Sequence, residues 1–255
     1  MSEFENKVAL ITGASSGISF ATAEILGKNG AKVVIADLNE PRMKEAVAKL
    51  KDEGITALGV KTDIGNSASV QNAIDTAVNE FGGLDYGANC AGRPGVFKPL
   101  NELSDEEFSQ TIDTTLKDEF YLLRAETNEF LKNGHGAIVN ISGLGCTIAT
   151  PTMSSLAAAG TGIEGLTRGA AIDYADKGIR VNWVSPAATY TNMTKKSFDN
   201  DALGKQLINL VPMKRYAQPS EIANVIVFLL SSKASFISGQ VIQVDGDSST
   251  GSNAR

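Results

Sequence analysis

Val8-Ala9-Leu10-Ile11-Thr12-Gly13-Ala14-Ser15-Ser16-Gly17-Ile18-Ser19 is the stretch from which the fold of this chain is read. Val8 to Ile11 is a short apolar run of the kind a parallel strand shows when both of its faces are covered, and Thr12-Gly13 breaks it at once. Gly13 and Gly17 let the backbone come close to something bulky. Beyond Gly17 the apolar positions Ile18, Ala21, Ile25 and Leu26 return at helical spacing. The loop therefore delivers its amides to a helix N-terminus, where an anionic pyrophosphate is stabilised; a tight turn without a ligand is the plainer alternative.

Lys32 to Asp37 is a second apolar strand, which makes the opening a strand-helix-strand unit closed by an acid. An aspartate about twenty residues after such a loop is placed to accept hydrogen bonds from an adenosine ribose, and its charge repels a 2′-phosphate. Asp37 thus points to NAD(H) in preference to NADP(H); an acid serving the dipole of the helix that starts near Pro41 is the other reading.

The composition belongs to a soluble globular protein: 255 residues, 42% hydrophobic and 20% charged, with no linker to divide it into domains. A formal net charge of -6 leaves no basic stripe to neutralise phosphates, so nucleic acid is not an expected partner. The N-terminal residues do not read as a signal peptide, and the apolar run Val225 to Leu230 is too short to cross a membrane. Cys90 and Cys146 are spaced neither for a metal nor for a disulfide framework, and a reducing cytoplasm suits them.

Strand and helix signals alternate along the rest of the chain. Pro41, Met43, Val47 and Leu50 predict a helix stopped at Gly54, and Thr56 to Thr62 a third strand closed by Asp63-Ile64. Val70, Ile74, Ala77 and Phe81 mark a helix ended by Gly82-Gly83, followed by a strand from Asp85 into Asn89-Cys90-Ala91-Gly92. Ser104 to Glu107 is a capping box for one long helix through Ile112, Leu116, Phe120 and Leu123 to about Leu131. Further strands are predicted at Gly136 to Ile141, Arg180 to Val184 and Gln240 to Val244, with helices at Met153 to Asp176 and Ser220 to Leu230. This alternation predicts an α/β fold, a doubly wound, seven-stranded parallel sheet with helices on both faces in a single domain spanning residues 1–255.

The motifs Thr12-Gly13-Ala14-Ser15-Ser16-Gly17, Asn89-Cys90-Ala91-Gly92, Ile138 to Ser142, Gly165 to Arg168, Gly178 to Asn182, Ser185-Pro186, Pro212-Met213, Ile237-Ser238-Gly239 and Val244-Asp245-Gly246 follow one another in an order and spacing that resemble the short-chain dehydrogenase/reductase family from Lys7 to Asp245. The resemblance implies a Rossmann-like fold and a nicotinamide cofactor across the C-terminal strand ends. Gly13, Ser16, Gly17, Ile18, Asp37, Asp63, Ile64, Asn89, Ala91, Gly92, Pro186 and Thr191 are then the residues expected to bind it. It also implies a small-molecule substrate selected by a segment at about 189–210, no metal, and a homodimer or homotetramer assembled through the helices near Thr111 to Leu131 and Met153 to Asp176.

The family's proton chemistry rests on a tyrosine, a lysine four residues later, a serine thirteen residues earlier and an asparagine in the preceding helix. Aligned without a gap, those positions fall on Leu156, Gly160, Gly143 and Thr115. None but Thr115 keeps a hydroxyl. Ser19 stands where the family has the last glycine of its loop, and Ala187 where it has glycine after Pro186, so reduced cofactor affinity is expected. Three functions follow: a family-type oxidoreductase, a non-catalytic binding protein or pseudoenzyme, and a scaffold whose pocket, naturally or by engineering, performs non-redox catalysis with Tyr190, Cys146 or Arg93. His135, the only histidine, precedes the fifth strand and is expected at the surface of the opposite end of the sheet.

Overall fold

The protein is described by a computed structural model that covers residues 2–92, 95–143, 151–192, 194–200, 204–205, 208–209 and 211–250. In chain order the described elements are β1 (Val8–Thr12), α1 (Gly17–Lys28), β2 (Lys32–Asp37), α2 (Glu40–Asp52), β3 (Ala57–Lys61), α3 (Ser67–Phe81), β4 (Tyr86–Asn89), α4 (Asp105–Ile112), α5 (Asp118–Asn133), β5 (Gly136–Ile141), α6 (Ser154–Tyr174), β6 (Ile179–Pro186), α7 (Lys195–Phe198), α8 (Pro219–Leu230) and β7 (Val241–Val244). The strands form one 7-stranded sheet in the order β3-β2-β1-β4-β5-β6-β7. All its described pairings are parallel.

Two apolar layers hold the helices to the sheet. On one face Leu26, Met43, Leu50, Ile226 and Leu230 bring α1, α2 and α8 against Ile11, Ile35 and Val139. On the other, Val70, Ile74, Leu122 and Phe130 bring α3 and α5 against Leu10, Val34 and Ile138, with Ala171 of α6 alongside. Every residue of β1 is buried, which is why it reads as a continuous apolar run rather than an alternating one. The chain reverses its direction of winding between β1 and β4, and the crevice beyond their C-terminal ends is where an open sheet of this type takes its ligand.

Arg180 at the start of β6 locks the end of α8. Its guanidinium donates to the carbonyls of Leu229 at 2.6 Å and of Leu230 and Ser231 at 3.1 Å, groups that a helix terminus otherwise leaves unpaired. At the opposite end of the sheet Asp85 ties three strand starts together. It accepts from Lys7 Nζ at 2.9 Å and from the Val8 N–H at 2.8 Å, and pairs with His135 Nε2 at 2.7 Å. His135 is therefore a half-exposed partner of Asp85 in the loop before β5.

The long helix predicted from the Ser104 capping box departs from expectation in its middle. Ser104 and Glu107 do cap each other, but the helix passes through a π turn at Asp113–Lys117 before continuing to Asn133. A wider turn takes up an extra residue and rotates the face that follows. Phe120 and Leu131, apolar positions along the predicted helix, are 40% and 41% exposed, whereas Glu119 and Glu126 are buried. Among the described residues no helix is long and apolar enough to cross a membrane.

Candidate functional site

The loop between β1 and α1 has the conformation its glycines suggest. Gly13 and Gly17 both adopt positive φ, at 65° and 66°. A Cβ on Gly13 would lie 3.0 Å from Ala91 Cα, so the two turns at the ends of β1 and β4 touch at a point where only glycine fits without a shift. Thr12 fixes the same contact from below: its Oγ1 accepts the N–H groups of Cys90 and Ala91, both at 3.0 Å.

The entrance to α1 favours an anion. Ser16, the residue that precedes its first turn, makes no capping side-chain bond, and that turn contains no acid. Its first amides are thus left without a side-chain partner, at the positive end of the helix dipole. Asp37 at the end of β2 accepts the Ser15 N–H through Oδ2 at 3.2 Å and the Asn39 N–H through Oδ1 at 2.8 Å. The carboxylate is anchored to the glycine loop itself, and Leu38 beside it is exposed and uncharged. From the segment after β6, Thr191 completes the rim, since a Cβ on Gly17 would meet its Cγ2 at 3.4 Å. Thr194 Oγ1 accepts the Thr191 N–H at 2.9 Å and donates to the Thr189 carbonyl at 2.7 Å, which holds this bend after Pro186 in place.

The side chains of Asp63, Ile64 and Asn89 are engaged within the protein. Asp63 caps its own turn by accepting the Gly65 N–H at 3.1 Å, and Ile64 packs on the apolar layer under α3. Asn89 has its side chain turned wholly into the core, toward Glu119, Glu126 and Asn140. Ser19 is buried, and its hydroxyl is in hydrogen-bonding contact with the Cys90 thiol. Burial pushes that thiol up to about 12, so Cys90 is a packing residue and no nucleophile.

The four positions that the family resemblance singled out are now located. Leu156, in the first turn of α6, is 8% exposed and packs over Gly95 and Thr111. Gly160 is buried one turn later. Gly143 is exposed just beyond the end of β5, and no described residue lies within 4 Å of where a Cβ would stand. Thr115 Oγ1 is buried and lacks a hydrogen-bond partner among the described residues, as do the hydroxyls of Ser154 and Ser155. Tyr190 stands apart from these in an aromatic stack: its ring lies 6.3 Å from Phe198, which in turn lies 3.8 Å from Tyr216. The Tyr190 hydroxyl donates to Asp199 at 2.9 Å, and this bond raises its pKa, which keeps the phenol protonated. Cys146 and Arg93 lie outside the described residues. A cavity of about 780 Å³ opens near the C-terminal ends of β6 and β7, lined by Ala187, Val211, Met213, Arg215, Val244 and Asp245 among others.

With this geometry the sequence comparisons agree. Residues 13–247 match the family model described as enoyl-(acyl carrier protein) reductase. A cyclohexanol dehydrogenase of Acinetobacter sp. (strain SE19) is 38% identical over 244 residues, 96% of this chain and 95% of that one. The crystal structure of a levodione reductase superposes with a TM-score of 0.93 at 30% identity, over 98% of this chain and 100% of that one. An NAD+-bound xylitol dehydrogenase superposes with a TM-score of 0.89 at 28% identity, covering 95% and 98% of the two chains. The chain belongs to the short-chain dehydrogenase/reductase family of oxidoreductases, whose members bind NAD(P)(H).

Proposed function

We propose that this protein is an NAD(H)-binding member of its family with little capacity for the family's interconversion of alcohols and ketones. The observation that carries the reading is the contrast between two halves of one crevice. On the β1–β2 side the glycine loop, the uncapped entrance to α1 and the anchored Asp37 together suit a dinucleotide. On the α6 side, where the family resemblance expects a phenol and an ammonium, stand the alkyl chain of Leu156 and the bare backbone of Gly160.

In this reading the amides of the Gly13–Ile18 loop receive the pyrophosphate and Asp37 the adenosine ribose. Ala91 and Gly92 flank the adenosine, and Pro186 and Thr191 the nicotinamide end. A nicotinamide cofactor supplies a hydride. A carbonyl oxygen gaining charge beside Leu156 would meet no proton donor there, and a buried unpaired charge is strongly unfavourable. The loss of the ammonium at Gly160 also removes a charged hydrogen bond worth roughly 1.5–3 kcal/mol, which lowers affinity without abolishing it.

The substrate is a small molecule, with a cyclic alcohol or ketone the first class to test because of the cyclohexanol dehydrogenase relative. Selection falls to the segment at about 189–210, braced by Tyr190, Phe198 and Tyr216. Assembly as a homodimer or homotetramer uses α4–α5 and α6, where Phe108, Phe120, Leu131 and Ile172 are exposed, the last at 80%. A cytoplasmic setting fits the free Cys90. Non-redox catalysis through Tyr190 has less support, because its phenol is already engaged by Asp199.

Calorimetric titration with NADH and NADPH, followed by a turnover screen over cyclic ketones, tests the reading. Measurable but weakened NADH binding with turnover near background is expected. Absence of NADH binding, or ketone reduction at about 10 s⁻¹, an ordinary enzyme rate, would refute it.

A further inference from the structure

Beneath the crevice, two glutamates of α5 reach the sheet. Glu126 occupies the space over Gly87 in β4, where any side chain would collide with its carboxyl group. Glu119 lies about two turns earlier on the same face; it is 5% exposed and Glu126 is 0% exposed. Both point at one amide. Asn89 Nδ2 approaches Glu119 Oε1 at 3.3 Å, Glu126 Oε2 at 2.9 Å and Asn140 Oδ1 at 3.2 Å, and Asn140 in turn donates to Thr167 Oγ1 at 3.1 Å.

The donors do not suffice. An amide nitrogen has two hydrogens, and here three acceptor oxygens compete for them. Glu126 Oε1 and Asn89 Oδ1 are buried with no hydrogen-bond partner among the described residues. Among the described residues no cation pairs with either glutamate. The titratable groups acting on Glu119 are Glu126 and Asp118 on its own helix, and the Cys90 thiol at the end of β4 feels Glu119 in turn. The groups that continue this network carry no charge, Asn140 on β5 bonding Asn89 and Thr167 on α6 bonding Asn140, and α3 meets α5 through the apolar Val70, Ala73, Ile74 and Ala77. A carboxyl O–H would supply the missing donor and remove one of two adjacent buried negative charges.

We propose that Glu119 and Glu126 form a proton-holding latch between α5 and β4, which fastens Asn89 at neutral pH and loosens the adjoining Cys90–Gly92 turn when alkali removes the proton. Burial raises the Glu126 carboxyl to about 8, and burial together with the charge of Glu126 raises Glu119 well above the usual carboxylate range. Asn89 is the residue directly before Cys90 and Ala91, whose N–H groups bond Thr12 Oγ1. Strain at Asn89 therefore passes into the contact between the β1 and β4 turns. The latch concerns the fold alone; its effect on nucleotide affinity rests on the NAD(H)-binding reading above.

The sign of the linkage is fixed. An unfolded glutamate loses its proton near pH 4.3, while the buried one keeps it to about 8, so over that window the unfolded state holds fewer protons and stability falls as pH rises. Each retained proton makes the unfolding constant rise by up to tenfold per pH unit. The test compares the wild type with Glu126→Gln, Glu119→Gln and the double variant, which keep size and hydrogen bonding. Denaturant unfolding from about pH 5 to 8 should show a slope that each Gln variant reduces. Hydrogen-exchange protection of the Cys90 and Ala91 amides should fall above about pH 8 in the wild type and stay level in the double variant. An unchanged slope in the variants, or level protection in the wild type, overturns the proposal. Should a variant fail to fold, the infrared carbonyl band of a protonated carboxylic acid in the wild type decides: present at neutral pH and lost in alkali it supports the latch, absent at neutral pH it refutes it. Failure of NADH to bind at any pH bears only on the proposed function, since none of these readouts uses nucleotide.

Discussion

Asp37 Oδ2 accepts the backbone N–H of Ser15 at 3.2 Å, so the acid that ends β2 is fastened to the glycine loop that ends β1. One side chain thereby sets both the shape of the loop and the sign of the charge beside it.

Replacing Asp37 with alanine removes a charge-assisted bond to the loop and the repulsion that a 2′-phosphate would meet. NADH affinity should fall by about one to two decades while NADPH affinity falls less, narrowing the preference. Fluorescence titration with both nucleotides checks this. Equal or tighter NADPH binding by the unmodified protein would remove the argument.

Gly13→Ala should destabilise the fold by roughly 1–3 kcal/mol, because the added methyl group meets Ala91 Cα at 3.0 Å and the backbone holds φ at 65°. Denaturant unfolding measures the loss. A neutral result would mean that the two turns separate more easily than their contact with Thr12 suggests.

Arg180→Met keeps most of the side-chain volume but strands the carbonyls of Leu229, Leu230 and Ser231 at the end of α8. A cost of about 2–3 kcal/mol is expected, with faster hydrogen exchange confined first to the last turn of α8. Uniform loss of protection over the whole sheet would contradict a local role.

On the acid side the sensitive group is Asp85. Burial works against its charge, yet bonds from Lys7, Val8 and His135 outweigh it and hold the carboxyl below the usual aspartate range. A lowered folded-state value gives stability that is present above the unfolded value of about 3.9 and is lost as pH falls below it through the folded one. Asp85→Asn should be less stable at neutral pH and should lose part of this acid dependence, as measured by unfolding midpoints across that range.

The strongest test of the chemistry is constructive. Gly143→Ser, Leu156→Tyr and Gly160→Lys together should raise NADH-dependent reduction of cyclic ketones by about 10²- to 10⁴-fold over the unmodified chain, the range a positioned acid supplies. The serine meets no described residue within 4 Å of its Cβ at Gly143. The tyrosine must leave the niche over Gly95 and Thr111 that Leu156 fills. Thr115→Asn with Ser19→Gly is the second step. Persistent inactivity in a folded, NADH-binding variant would mean that the pocket accepts a different ligand class.

Much of this architecture is written locally. β2 and β5 span the residues expected from their apolar runs, and the Ser104–Glu107 capping box forms as its spacing dictates. Gly82, past the end of α3, takes the left-handed conformation that stops a helix. These features depend on neighbours within a few residues, which a sequence displays directly. The glycine loop and Asp37 were legible for the same reason, joined by a spacing of about twenty residues that one strand-helix-strand unit imposes.

What the sequence alone determined, then, is the succession of strands and helices, the loop that opens the crevice and the acid that flanks it, since each follows from local backbone preference and apolar periodicity. The tertiary structure decided which way the side chains of one helix face. The π turn at Asp113–Lys117 rotates α5 so that Phe120 and Leu131 look outward while Glu119 and Glu126 enter the core, where Gly87 leaves them room. Apolar periodicity alone gives no sign of buried glutamates, because burying a carboxylate is costly. The compensation comes from Asn89 and Asn140, 30 and 51 positions apart from Glu119 and Asn89 respectively along the chain, and only folding sets them beside it.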